Sequence, residues 1–196
     1  MTSVKDYEHL LIARFVASFE KLDELTATEG IYPIAWQLAV GDPDEYGQKR
    51  WRPIKVISKA ENLEPIYSNL PARFPRLYEQ LVLSYRWADV DLQSFTLLAN
   101  PPGTDLGGLL HEISKDKALW NCLRKAGYVQ FGKGPDLDYD PVCFDMSSRK
   151  NKGRDSRIVK IDHEQILCHD RVKIVGELAP SFEKLVLATI EKAGIY

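Results

Sequence analysis

Asp136, Asp138 and Asp140 alternate within PDLDYDP, a spacing that can aim successive carboxylates at one cation, as in the calcium loop of an EF-hand. Two positions exclude that motif. Pro141 stands sixth, where glycine must turn the loop, and Ser147 stands twelfth, where a bidentate glutamate belongs. A looser metal site drawing on Asp145, Asp162 or Glu164, with Lys160 beside it, would suit metal-assisted hydrolysis of a phosphodiester. Acidic loops that join strands are more commonly solvated, and the segment reads first as an exposed acidic surface carrying one aromatic, Tyr139.

Other chemistries are weaker. Gly127 to Lys133 spells GxxxxGK, but Gly134 follows where a phosphate loop needs Ser or Thr for magnesium, and the intervening YVQF favours a strand. His163, Glu164, Cys168 and His169 form HExxxCH, a spacing that does not put zinc ligands on one helical face as HExxH does. There is no GxSxG elbow, and Cys122, Cys143 and Cys168 lack the paired spacing of a zinc site. Cys143, between Val142 and Phe144, reads as a small buried hydrophobe. Arg149, Lys150, Lys152, Arg154 and Arg157 surround Asp155 in a basic loop that can touch phosphates, but it lacks the interleaved aromatics of a single-strand binding platform. No catalytic, metal-binding or cofactor-binding residue is assigned. The candidate binding residues are Asp136, Asp138, Tyr139 and Asp140.

These residues need elements to position them. Runs at 128–131, 142–145, 158–162 and 172–175 are β-rich and separated by Gly, Pro, Asp, Asn and Ser, the pattern of a small antiparallel sheet. Upstream, Val4, Tyr7, Leu11, Phe15, Phe19 and Leu22 share one helical face, with Ser3 and Asp6 as a capping box. The run 31–40 is buried but of open type, 41–50 is a loop, and 51–58 is an edge strand because it carries Pro53. Ser58 and Glu61 repeat the capping box before a helix over 63–70, and Pro75 opens another through Leu77, Tyr78, Leu81, Val82 and Tyr85. A strand at 94–99 precedes two short helices, 106–113 and 117–125, the second capped by Asp116, closed by Gly127, and burying Leu119, Trp120 and Leu123. Phe182, Leu185, Val186, Thr189 and Ile190 mark a closing helix. Helices first and strands clustered later argue α+β, with helices packed on an antiparallel sheet.

At 196 residues, 44% apolar and 28% charged, the chain suits one globular domain. A net charge of -2 exerts no global pull on nucleic acid. The opening MTSVKDYEHLLIARF, interrupted by charges, is neither a signal peptide nor a membrane span, so a cytoplasmic protein is expected.

LGGLLHEI, GYVQFG, DYDPVCFD, IVKIDHEQIL, RVKIV and ELAPSFEKLV, preceded by LEPIYSNLPARFPRLYEQLVLSYRW, resemble the SUKH superfamily, which includes the Smi/Knr cell-wall-assembly regulators. The likeness runs from about Leu63 to Leu187, so residues 63–196 are taken as the family-like core and 1–62 as an N-terminal helical extension with edge elements. The resemblance implies a central antiparallel sheet and no catalysis. It also implies a frequent role as an immunity protein that binds and blocks a toxin domain, often a nuclease. A regulatory interaction module is the alternative, and a metal-dependent hydrolase the third. The expected partner is a protein, with no nucleic acid, membrane or cofactor; oligomeric state is not assigned.

Overall fold

The computed structural model describes residues 4–103, 105–136, 138–147 and 155–195. Apolar residues three and four apart build α1 (Val4–Leu22), which buries Leu11, Ile12, Phe15 and Phe19. Val4 and Tyr7 share that spacing yet are exposed, and the Tyr7 hydroxyl donates to Glu183 at 3.0 Å. Ser3 lies outside the described residues. The open-type run 31–40 resolves into α2 (Pro33–Gln37), with proline in its first turn, and β2 (Ala39–Val40), and the burial expected of it holds only for Ala35 and Leu38, while Ile31, Tyr32 and Val40 are exposed.

The stretch 41–50 is more than a loop. Asp44 accepts the Tyr46 and Gln48 backbone N–H groups, turning the chain into β3 (Gln48–Trp51), which lies between β2 and β1 (Thr26–Thr28). The expected edge strand shrinks to β4 (Ile54–Lys55), paired only with β5 (Tyr85–Arg86). The Ser58–Glu61 capping box does not form. Ser58 instead accepts a hydrogen bond from the Arg86 guanidinium at 2.7 Å, and a short 3-10 turn leads uncapped into α3 (Glu64–Tyr67). A buried guanidinium loses more by lacking an acceptor than a surface turn loses by lacking a cap. The helix after Pro75 is α4 (Arg76–Ser84).

The main sheet is antiparallel and six-stranded: β6 (Val90–Asp91), β7 (Thr96–Leu97), β8 (Tyr128–Lys133), β9 (Pro141–Asp145), β10 (Ile158–Ile161) and β11 (Ile174–Ala179), in sequential order. Between β7 and β8 lie α5 (Gly107–Ser114) and α6 (Lys117–Ala126). Asp116 caps α6 through the Leu119 N–H at 3.0 Å, and Gly127, left-handed at φ 86°, ends it, both as read from sequence. Trp120 is half-buried, with Arg124 over its ring. One helix is additional to the sequence reading: α7 (His163–His169) between β10 and β11, capped by Asp162. Its seven residues are too few for a helical period to stand out, and it moves the expected strand 172–175 onward to β11. The closing helix is α8 (Phe182–Lys192). The fold is α+β, and no helix among the described residues is long and apolar enough to cross a membrane.

Alternation along the strands splits the interior in two. Val129, Phe131, Val142, Phe144 and Ile158 join α1, α4 and α8 in the main core, while Cys143, Val159 and Ile161 pack with Leu119 and Leu123 of α6 and Ile166 of α7. Phe15 meets Phe182 edge-on at 6.2 Å, so the segment read as an extension contributes to the central core. Burial pushes the Cys143 thiol well above its usual range, whereas Cys168 is exposed. A thiol reagent added to the native protein should modify Cys168 quickly and Cys143 only on unfolding. Fast native labelling of Cys143, read by peptide mass mapping, would overturn this placement.

Candidate partner-binding surface

The loop from β8 to β9 holds the four residues singled out above, and its shape begins with Gly134. A Cβ there would stand 2.1 Å from the Asp138 carboxyl carbon, so only glycine lets that side chain fold back across the loop. The Gly134 N–H donates to the Asp140 carbonyl at 2.9 Å and the Asp138 N–H to the Pro135 carbonyl at 3.0 Å. Asp136 takes the left-handed conformation at φ 54°, which Asp tolerates better than most residues.

The acids are not equivalent. Asp138 meets Lys160 Nζ of β10 at 2.6 Å, and Asp140 meets the same ammonium at 3.6 Å. Asp140 Oδ1 also accepts the His163 backbone N–H at 2.9 Å and lies 2.7 Å from His163 Nδ1. Burial would raise the Asp138 carboxyl, but the Lys160 hydrogen bond and the Asp140 N–H outweigh it and hold it below its ordinary value. The hydrogen bond from Lys160 to Asp138 raises the ammonium in turn. Two of the three expected surface acids are therefore turned inward to tie the loop to β10 and to the start of α7, and Asp136 remains exposed.

Tyr139, between those two inward-turned acids, is 58% exposed, with its ring edge-on to His163 at 6.1 Å. It stands over a groove of about 420 Å³ on the second face of the sheet, where the α6 and α7 layer leaves the strands uncovered. Leu98, Leu119 and Gln130 line it together with His163 and Leu167 of α7. Leu167 is 55% exposed. An exposed aromatic and an exposed leucine beside a partly apolar groove, with charges at its rim, have the make-up of a protein interface. Sequence reasoning found Tyr139 but missed Leu98, Gln130 and Leu167, whose shared position depends on β7, β8 and α7 coming together.

The remaining candidate chemistries disperse. Asp145 lies at the far end of β9, where it accepts from Arg157 Nε at 2.7 Å and the Ser147 N–H at 3.0 Å. Asp162 caps α7 and meets Lys173 at 3.3 Å. Among the described residues no three His, Cys, Asp or Glu side chains form a metal-ligand set. Tyr128 to Lys133 of the GxxxxGK run forms β8, with no phosphate-loop turn. Arg149, Lys150, Lys152 and Arg154 lie outside the described residues, and Arg157 is engaged by Asp145 and Glu177. Comparison with protein-family models, with curated proteins and with solved structures finds no match to this chain.

Proposed function

We propose that this chain is a non-enzymatic protein-binding domain, acting in the cytoplasm as an immunity protein that neutralises a toxin domain, such as a nuclease. The observation that carries the binding role is the open groove beside the exposed pair Tyr139 and Leu167. The sequence resemblance to the SUKH superfamily supplies the immunity role. Lys160 and His163 hold the loop from beneath, so Tyr139 is presented on a tethered backbone and loses little freedom on binding. Asp136 is the remaining exposed charge of the segment and favours approach of a basic partner.

The test is co-expression and affinity capture with the product of the neighbouring gene, followed by assay of that product's toxicity with and without this chain. Stoichiometric binding and loss of toxicity are expected. Tyr139→Ala should weaken the complex about thirtyfold, the loss typical of a buried aromatic anchor of about 2 kcal/mol. No binding, or binding with toxicity unchanged, overturns the immunity role; the second outcome fits a regulatory interaction module. Unchanged affinity in Tyr139→Ala removes the groove as the contact surface.

A further inference from the structure

A second concavity adjoins the groove, sharing Glu112, Lys115 and Lys133 with it, and is also lined by Asp89, the ion-pair partner of Lys133. We propose that this cleft, of about 520 Å³, binds an arginine side chain from a basic segment of a protein partner. The inference rests on the protein-binding role above and names the partner chemistry that this role requires.

One wall is apolar and aromatic. Ile31 and Tyr32, in the turn after β1, line the cleft while 64% and 58% exposed. Large apolar side chains are costly to leave in water, and a tyrosine face offers a stacking surface for a planar guanidinium.

The lining is also acidic. Asp23, Asp89, Asp91, Glu112 and Asp136 line the cleft against only two lysines, a stronger negative bias than the -2 of the whole chain. Both lysines are engaged: Lys133 meets Asp89 at 3.5 Å and Lys115 meets Glu112 at 2.6 Å. Glu112 is nine-tenths buried, so its charge acts through the protein more than through water. Asp23, Asp91 and Asp136 have no cation at ion-pair distance among the described residues.

Two of these acids are preorganised. Asp23 Oδ2 accepts the Asp91 N–H at 2.8 Å, and Asp91 Oδ1 accepts the Gln93 N–H at 2.6 Å. Bonds from neutral N–H groups fix a carboxylate's position without cancelling its charge. Concave shape, an aromatic wall and fixed, uncancelled carboxylates are the complement of a guanidinium on an aliphatic stem. Asp136 belongs to both sites' surroundings, since the β8–β9 loop that presents Tyr139 to the groove also reaches this cleft.

The test titrates the ¹⁵N-labelled full chain at low salt with the peptide acetyl-Gly-Arg-Gly-Arg-Gly-amide, with the Glu-for-Arg peptide as control. Amide shifts are expected at Ile31, Tyr32, Asp89 and Asp91 with the arginine peptide only. Asp91→Asn combined with Asp136→Asn should weaken it about fivefold, as should Tyr32→Ala. Asparagine keeps the acceptor for Gln93, and an unchanged thermal midpoint confirms the fold. Absent shifts, shifts spread over acidic residues elsewhere, or affinity unchanged in these variants overturns the proposal. If partner capture depends on Tyr139 but not on these acids, the cleft inference falls and the protein-binding role stands. If capture depends on neither, both fall.

Discussion

Phe144→Ala is expected to cost about 4 kcal/mol, as a fully buried aromatic truncation does. Phe144 is fully buried on β9 and stacks on Phe131 of β8 with centroids 4.1 Å apart and planes 19° from parallel. Tyr78 of α4 meets it edge-on at 5.0 Å, and Phe182 of α8 lies at 5.7 Å. The ring thus links two central strands to two helices across the sheet. Alanine would remove both the apolar transfer term and the contacts of all these neighbours, and rigid rings collapse poorly into the space left behind. Urea unfolding followed by tryptophan fluorescence should show a lower midpoint with an unchanged slope. Phe144→Leu should retain more than half of the stability. A loss under about 1 kcal/mol in Phe144→Ala would contradict the alternation that puts Phe144 in the core and Cys143 on the other face.

Arg86→Ala is expected to cost about 3 kcal/mol, and Arg86→Met distinctly less. Arg86 is completely buried and donates to the Val82 and Tyr85 carbonyls at 2.7 and 3.0 Å and to Ser58. It makes no ion pair among the described residues, and burial pulls its guanidinium below its usual range. Asn100 donates to the same two carbonyls at 3.0 and 2.7 Å, so the end of α4 and the start of β5 are held from both sides. Arg86 Nε and Asn100 Oδ1 are buried without partners among the described residues, which reduces the net contribution of the cluster. Both substitutions leave three weakened acceptors, but methionine fills the volume without a charge to desolvate, while alanine leaves a cavity as well. If Arg86→Met unfolds as readily as Arg86→Ala, the hydrogen bonds outweigh the volume. If neither is destabilised by more than about 0.5 kcal/mol, the buried placement is wrong.

Local signals carried much of the fold. The spacing of Leu11, Phe15 and Phe19 made α1 legible, as the cap Asp116 and the stop Gly127 did for α6, because helix period and caps depend on residues within one or two turns. Short elements were less legible. β2, β3 and β4 have two to four residues and α7 has seven, so their periods hardly repeat, and pairing partners or a cap decide them. The Ser58–Glu61 pattern misled because Arg86, 28 residues away, takes the Ser58 hydroxyl.

By itself the sequence determined an α+β chain in which Cys143, Val142 and Phe144 are strand residues and Asp136, Asp138, Tyr139 and Asp140 share one short loop. Composition and spacing are enough for that, since they act along the chain. Only the tertiary structure decided which of those four residues are exposed and which are turned inward. Lys160 and His163, more than 20 residues downstream, turn Asp138 and Asp140 inward and leave Tyr139 and Asp136 exposed. The charge of an aspartate is written in the sequence, but whether it is neutralised depends on a cation that strand pairing brings within 3 Å. The groove beside Tyr139 and the acidic cleft adjoining it have the same origin, since each is lined by residues far apart in sequence that the sheet and its helices bring together.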